Sequence, residues 1–203
     1  GPNDTVTLRN IQINGIGSGL DGVRFLAGKQ LIVDHCEIFG FSQNGIDVVL
    51  NQSTPASVTV RNTRLSDNAG DGIKVANSVA ATPVFTSLSH VAIRNGTNSV
   101  EASVAAIVDI NNSEFRSFSG SGLLISGSGF NSGTISAESS IITGGGTAVN
   151  PQAAGAIRLS NNDIFSNTVA VGSGVGTVVS AGNNRQAGNG TGFQLRAATI
   201  TTF

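Results

Sequence analysis

An all-β chain, wound as a right-handed parallel β-helix of about eight coils, is what three observations predict. The stretch 58–75, VTVRNTRLSDNAGDGIKV, alternates apolar and polar residues into a bend, and its pattern returns along the chain every 22 to 28 residues or so. Three apolar columns hold register with that repeat. No repeat contains the roughly 10 to 12-residue helical segment a βαβ crossover needs, and Gly and Asn interrupt the chain too often for helix.

Counted from Asn62, the repeat anchors are Asn10, His35, Asn62, His90, Asn112, Ser139, Asn161 and Asn183. Four places before them stand Val6, Leu31, Val58, Thr86, Val108, Ile135, Ile157 and Val179. Two places before are Leu8, Val33, Val60, Leu88, Ile110, Ala137, Leu159 and Ala181. Three after come Ile13, Ile38, Leu65, Ile93, Phe115, Ile142, Ile164 and Gln186, so the eighth coil loses one aliphatic. Strands and bends that close in about 25 residues stack with equivalent residues roughly 4.8 Å apart. The right-handed rule for parallel crossovers sets the hand.

Residues 1–4 read as a cleavage scar and lead-in, residues 5–193 as the parallel β-helix, and residues 194–203 as a C-terminal edge strand or cap. That start leaves room for a leader and further coils ahead of it. Coil three carries an excursion in which Pro83 argues against a central strand. In coil four, TNSVEASVAA lacks the Gly-apolar-x-apolar second half, which predicts a loop or a change of cross-section near 97–104.

Composition narrows the function. The 203 residues include 27 Gly and ten Phe but no Trp, Tyr or Met, so a narrow lumen of Val, Ile, Leu and Ala is expected. Eleven basic against twelve acidic residues, with no basic run, give no footprint for nucleic acid. No stretch approaches 18 apolar residues, so no membrane span is expected. Cys36 stands alone and reads as a small buried residue. Calcium, phosphate-loop and dinucleotide motifs are missing, so neither a metal nor a cofactor is expected.

The anchor column, Asn10, His35, Asn62, His90, Asn112, Asn161 and Asn183, reads as a structural ladder of amides bonding between coils. Outward positions place Arg9, Asp34 and Arg61 in one column and Arg24, Asp47 and Lys74 in another, with Glu37 and Arg64 beside the first. Alternating signs specify register, and the same residues are the candidates for a binding face. Asp21 and Asp71 precede glycines two coils apart, roughly 9.6 Å along the stack, with Asn44 between and Asp47 nearby. That is within reach of the roughly 6.5–9.5 Å carboxyl separation of inverting glycosidases, so Asp21, Asp47 and Asp71 are the candidate catalytic residues. The plainer reading is an Asx turn in which each Asp accepts its own backbone N–H and the Gly takes positive φ.

The repeats, the NGI and DGI steps and the closing GNNRQAGNGTG resemble the bacterial parallel β-helix repeat proteins of the pectin-lyase-like superfamily, over residues 5–193 or so. The resemblance implies the fold; its characterised enzymes act on acidic polysaccharides, while others are exported or surface proteins. Neither the lyase nor the hydrolase residue set maps completely. Phe39, Phe41, Phe115, Phe118, Phe165 and Phe193 sit at inward or bend positions rather than as sugar platforms. The expectation is a non-catalytic scaffold, extracellular or on the bacterial cell surface, presenting a face to a polysaccharide or a surface protein. The alternatives are a polysaccharide lyase or glycoside hydrolase working through Asp21, Asp47 and Asp71, and a structural module that self-associates end to end.

Overall fold

The computed structural model describes residue 1, residues 3–127 and residues 132–191. Alternating patterns such as VTVR and LIVD do become strands, and all of them pair in parallel with the equivalent strand one coil away. The first sheet has eight strands, Thr5–Arg9, Gln30–Asp34, Ala56–Arg61, Val84–Ser89, Ala106–Asn111, Thr134–Glu138, Ala156–Ser160 and Thr177–Ser180. The second has eight three-residue strands, from Gln12–Asn14 through Arg64–Ser66 to Arg185–Ala187. The third has seven, Val23–Phe25, Ile46–Leu50, Ile73–Asn77, Val100–Ala102, Ser121–Ile125, Thr147–Pro151 and Val169–Val171.

Each coil turns from the first sheet to the second at a residue in the left-handed region, and that is what the anchors are. Asn10, His35, Asn62, His90, Asn112, Ser139 and Asn161 all have φ between 48 and 55°. Asn suffers least there, which explains its recurrence. Their side chains lie outside, so most of the expected ladder is a stack of corners: Asn161 Nδ2 reaches Ser139 Oγ at 3.1 Å, while Asn62 Nδ2 turns to Asp34 at 3.4 Å.

The inter-coil ladder runs one residue later, through Cys36, Thr63, Ser113, Ser140 and Asn162, all buried. Here a side-chain oxygen accepts a backbone N–H from the coil before: Thr63 Oγ1 from Cys36 at 3.3 Å, Ser140 Oγ from Ser113 at 3.1 Å, Asn162 Oδ1 from Ser140 at 3.0 Å. In the eighth coil the corner is Gly182, φ 84°, rather than Asn183. The strand before it is therefore displaced by one residue. Val178 and Ser180, not Val179 and Ala181, stand opposite Ile157 and Leu159.

Inward columns fill the lumen: Leu31, Val33, Ile38, Leu65, Ile93, Phe115 and Ile142 are 2% exposed or less. Phe41 and Phe118 also belong to this core, and Phe193 lies outside the described residues. The predicted break near 97–104 is not there. Val100–Ala102 pairs in register with Ile73–Val75 on one side and with Leu123–Ile125 on the other.

The glycines of the NGI and DGI steps have a packing role. None of Gly22, Gly45, Gly72 or Gly122 has positive φ; a Cβ on each would enter the lumen against the second sheet. At Gly72 it would lie 2.4 Å from Ile93 Cγ2 and 2.8 Å from Ser99 O. Gly72→Ala is expected to destabilise by about 1–3 kcal/mol, the usual cost of overpacking, read from a urea midpoint.

Candidate functional site

Asp21, Asn44, Asp71 and Asn98 form a column at the entry to the third sheet. Asp21 Oδ1 accepts from Asn44 N and Nδ2, both at 3.1 Å, and Asn44 Oδ1 accepts from Asp71 N at 2.9 Å. Asn98 continues it, donating through Nδ2 to Asp71 Oδ1 at 2.8 Å and accepting from Ser121 N at 2.8 Å. The expected Asx turn is thus replaced by bonds between coils, because the next coil's N–H lies closer to the stacking direction than the residue's own loop.

The neighbouring outward column begins with the three residues read from sequence. Arg24 pairs with Asp47, Nε to Oδ2 3.3 Å, and stands 4.0 Å from Asp21 Oδ2. Lys74, opposite Asp47 in the strand register, reaches forward instead, 3.4 Å from Glu101 Oε1. Glu101 was hidden in the sequence by the missing glycine of its repeat. It is 8% exposed and accepts from Ser126 Oγ at 2.5 Å. The column then turns uncharged, through Leu124 and Asn150.

These carboxyls titrate unusually. Burial, a hydrogen bond to the Glu101 carboxyl and its charge push Asp71 up to about 7. Burial also acts to raise Glu101, but hydrogen bonds from Asp71 and Ser126 and the charge of Lys74 outweigh it and hold Glu101 below the ordinary range. Asp47 is pushed upward by burial and by the charge of Asp21, against Arg24 and Lys74. Its Oδ1 is buried and has no hydrogen-bond partner among the described residues. Asp71 thus keeps its proton to higher pH while Glu101 beside it is favoured as the carboxylate, and Asp47 stands opposite Lys74 on the second coil.

Directly beyond, over coils four to seven, lies an open groove of 530 Å³ lined by Asn98, Ser121, Leu124, Thr147, Asn150 and Gln152, among others. Its size is that of a small-ligand site. Asn98 belongs to both the groove and the carboxyl cluster. The sequence pointed to coils one to three because charge is concentrated there. The groove was not visible because its lining is mostly Ser, Thr, Asn and Gly, residues common in the chain's turns, with Leu124, Gln152 and Val169 among them.

On the first sheet Asp34 is the hub of the other charged column. Arg9 Nε and Arg61 Nη2 approach its Oδ2 at 3.1 and 3.2 Å, and His35 Nδ1 its Oδ1 at 2.7 Å. Burial would raise this carboxyl, yet the hydrogen bonds from Arg61, Asn62 and His35 pull it down to about 2. Glu37 and Arg64 stand 3.9 Å apart beside it. His90 bonds Ser89 Oγ at 2.9 Å, remote from His35 along the corner column. A depression of 380 Å³ further along this sheet holds Asp109, Glu138 and Arg158, all exposed. Among the described residues no three His, Cys, Asp or Glu side chains gather as a metal site would require. Among the described residues no helix is long and apolar enough to cross a membrane.

Residues 2–87 match a family model described as a right handed beta helix region. The match covers the first three coils and the start of the fourth, and the same parallel stacking then continues through the seventh, with the first two sheets extending into an eighth coil. The chain is a right-handed parallel β-helix. Its repeat and three-sheet coil are consistent with the pectin-lyase-like superfamily. Searches of the curated proteins and of the solved structures found no match. For this β-helix, chemistry has to be argued from the third sheet's own side chains.

Proposed function

We propose that this β-helix is a non-catalytic, exported scaffold that holds an uncharged glycan strand in its third-sheet groove. One observation carries the reading: the groove combines amides and hydroxyls with apolar surface from Leu124 and Val169 and has no charged side chain in its lining, while Asp21 and Asp71 at its end are engaged in holding the coils together. Amide and hydroxyl groups exchange hydrogen bonds with sugar hydroxyls, and the row of coils repeats them at roughly 4.8 Å steps, suiting an extended polymer. The resemblance to exported repeat proteins supports a location outside the cell, which fractionation of the source cells checks.

The reading is tested by affinity electrophoresis through neutral and acidic polysaccharides. Retardation by a neutral polymer is expected, weakened at least tenfold by Thr168→Trp, whose side chain fills the groove, and unchanged by Ser136→Trp on the first sheet. Tenfold corresponds to about 1.4 kcal/mol. Equal loss with both variants, or no retardation by any polymer, removes the proposal.

A second reading is favoured by one feature, the Asp71 carboxyl pushed up to about 7 beside Glu101. A carboxylic acid with a pKa near 7 suits general-acid catalysis, with Asp47 as the companion carboxylate and the groove holding the polysaccharide. Glu101 then replaces Asp21 in the trio read from sequence. Release of reducing ends or of unsaturated products from a polysaccharide panel, abolished in Asp71→Asn, would favour this reading over the first.

A further inference from the structure

On the first sheet, charge that pairs nowhere gathers in one place. Among the described residues almost every charged side chain is bound to another side chain: Asp34 to two arginines, Glu101 to Lys74, Glu114 to Arg94 and Arg116, Asp163 to Arg185. Lys29, Asp109, Glu138 and Arg158 make neither an ion pair nor a side-chain hydrogen bond with any described residue. The last three all line the 380 Å³ depression that runs over coils four to seven. Unpaired charges scattered singly need no account, but three around one hollow do.

The strand register explains why they stay apart. Asp109 and Arg158 stand in one outward column with Ser136 between them, so two coils, roughly 9.6 Å, separate their backbones. Glu138, in the next column, lies opposite Asn111 and Ser160, both neutral. Where charge holds the coils together, opposite signs sit on adjacent coils, as in Arg9, Asp34 and Arg61. These three do not follow that rule, so holding the register is not what they serve. Asp109 and Glu138, one coil and two strand positions apart, are instead two carboxylates with no cation between them. Phe85 stands at the coil-four margin, two residues before Ser87 of the lining and opposite Ile107. It is 50% exposed, and no other described Phe is exposed. An aromatic face beside free carboxylates attracts an organic ammonium group through the ring quadrupole and the charge together. A guanidinium on the far side takes two oxygens of a phosphate or carboxylate.

We infer that this depression binds a small soluble zwitterion, its ammonium group seated among Phe85, Asp109 and Glu138 and its anionic group on Arg158. A cation alone leaves Arg158 unpaired, and an anion alone meets two carboxylates of its own sign. Ser87 and Ser136, short side chains among the taller charged ones, leave the hollow open, and its volume is that of a small-ligand site. The charged groups are exposed and therefore screened, so a dissociation constant of roughly 1 mM is expected. The inference is independent of the third-sheet groove, whose lining shares no residue with this one.

Titration of the isotope-labelled 203-residue chain with phosphocholine, followed through its amide chemical shifts, tests it, with choline and inorganic phosphate as the cation-only and anion-only probes. Phosphocholine is expected to shift amides of residues 85–88, 109–111, 136–138 and 158–160 and to bind about tenfold more tightly than either part. Arg158→Gln should lower its affinity to that of choline, and Asp109→Asn should weaken both by about threefold or more. Both side chains are exposed, so the variants fold, which an unchanged spectrum away from this sheet verifies. Ser136→Trp, which fills the hollow, should abolish the shifts, while Thr168→Trp in the third-sheet groove leaves them in place. No shift at roughly 10 mM phosphocholine, shifts confined to another face, equal affinity for phosphocholine and choline, or an unchanged affinity in Arg158→Gln would each overturn the inference. So would a protein that pellets with phosphatidylcholine vesicles yet ignores the soluble probe.

Discussion

Replacing Asn162 by leucine is expected to cost about 3 kcal/mol, whereas replacing its neighbour Asn161 by glycine should cost less than about 0.5 kcal/mol. Asn162 is 0% exposed. Its Oδ1 takes the Ser140 N–H at 3.0 Å and its Nδ2 serves Ala137 O at 2.8 Å and Asn184 Oδ1 at 3.0 Å. Leucine matches the volume and leaves the Ser140 N–H buried with nothing to donate to, the expensive way to lose a hydrogen bond. Asn161 is exposed with φ 54°, a conformation that glycine adopts more easily still, and its single side-chain donation is to an Oγ at the surface. Chemical denaturation of both variants against the parent checks the contrast. Equal losses would mean that the inward amide is no more than a corner residue.

The same pair of residues marks where the sequence was legible. The period, the three apolar columns and the parallel pairing were written in Val, Leu and Ile spaced by two, and nothing in the fold departs from them through seven coils. Which of two adjacent asparagines faces inward was not, because a left-handed corner breaks the alternation that assigns faces. The eighth strand was misplaced by one residue for a related reason: Gly182 takes the corner that Asn occupies elsewhere, and the sequence NN at 183–184 resembles the NN at 161–162. Coil four was read as irregular since Ser99 stands where the other early coils have glycine. The lumen accommodates Ser99, 1% exposed with no partner for its Oγ among the described residues, and the strand after it is ordinary. That misreading concealed Glu101 and with it the partner that sets the titration of Asp71. The charged pairs Arg9–Asp34–Arg61 and Arg24–Asp47 were legible because outward strand positions alternate by two with no corner between. The groove was not, because its lining draws on uncharged residues from four coils that read in sequence as ordinary turn and strand positions.

Asp71→Asn is expected to make the protein more stable at pH 8.5 and to flatten its pH dependence. In the unfolded chain this carboxyl ionises near 3.8, and in the folded chain near 7. Between those values the folded state keeps a proton that the unfolded state has released, so the contribution is complete below about pH 4 and is lost as pH rises through 7. Glu101 runs the other way. Its folded pKa is depressed, so its contribution is present above its ordinary 4.5 and is lost as pH falls. Asp34, held down near 2, adds a loss that is complete only in stronger acid. Together these groups place the stability maximum near pH 4, with a decline toward neutrality to which Asp71 contributes most and the raised Asp47 adds. Asparagine holds the neutral form at every pH: its Nδ2 replaces the acid proton toward Glu101, and its Oδ1 still accepts from Asn98. The parent's melting temperature should therefore fall between pH 5 and 8.5 and the variant's should fall less, by the part that Asp47 contributes, the two differing at pH 8.5 by about 3 °C or more for a chain of this length. A variant that is less stable than the parent at pH 8.5 would mean that the ionised Asp71 is welcomed at that site, in which case Lys74 and not Glu101 sets the charge there, and the general-acid reading loses its acid.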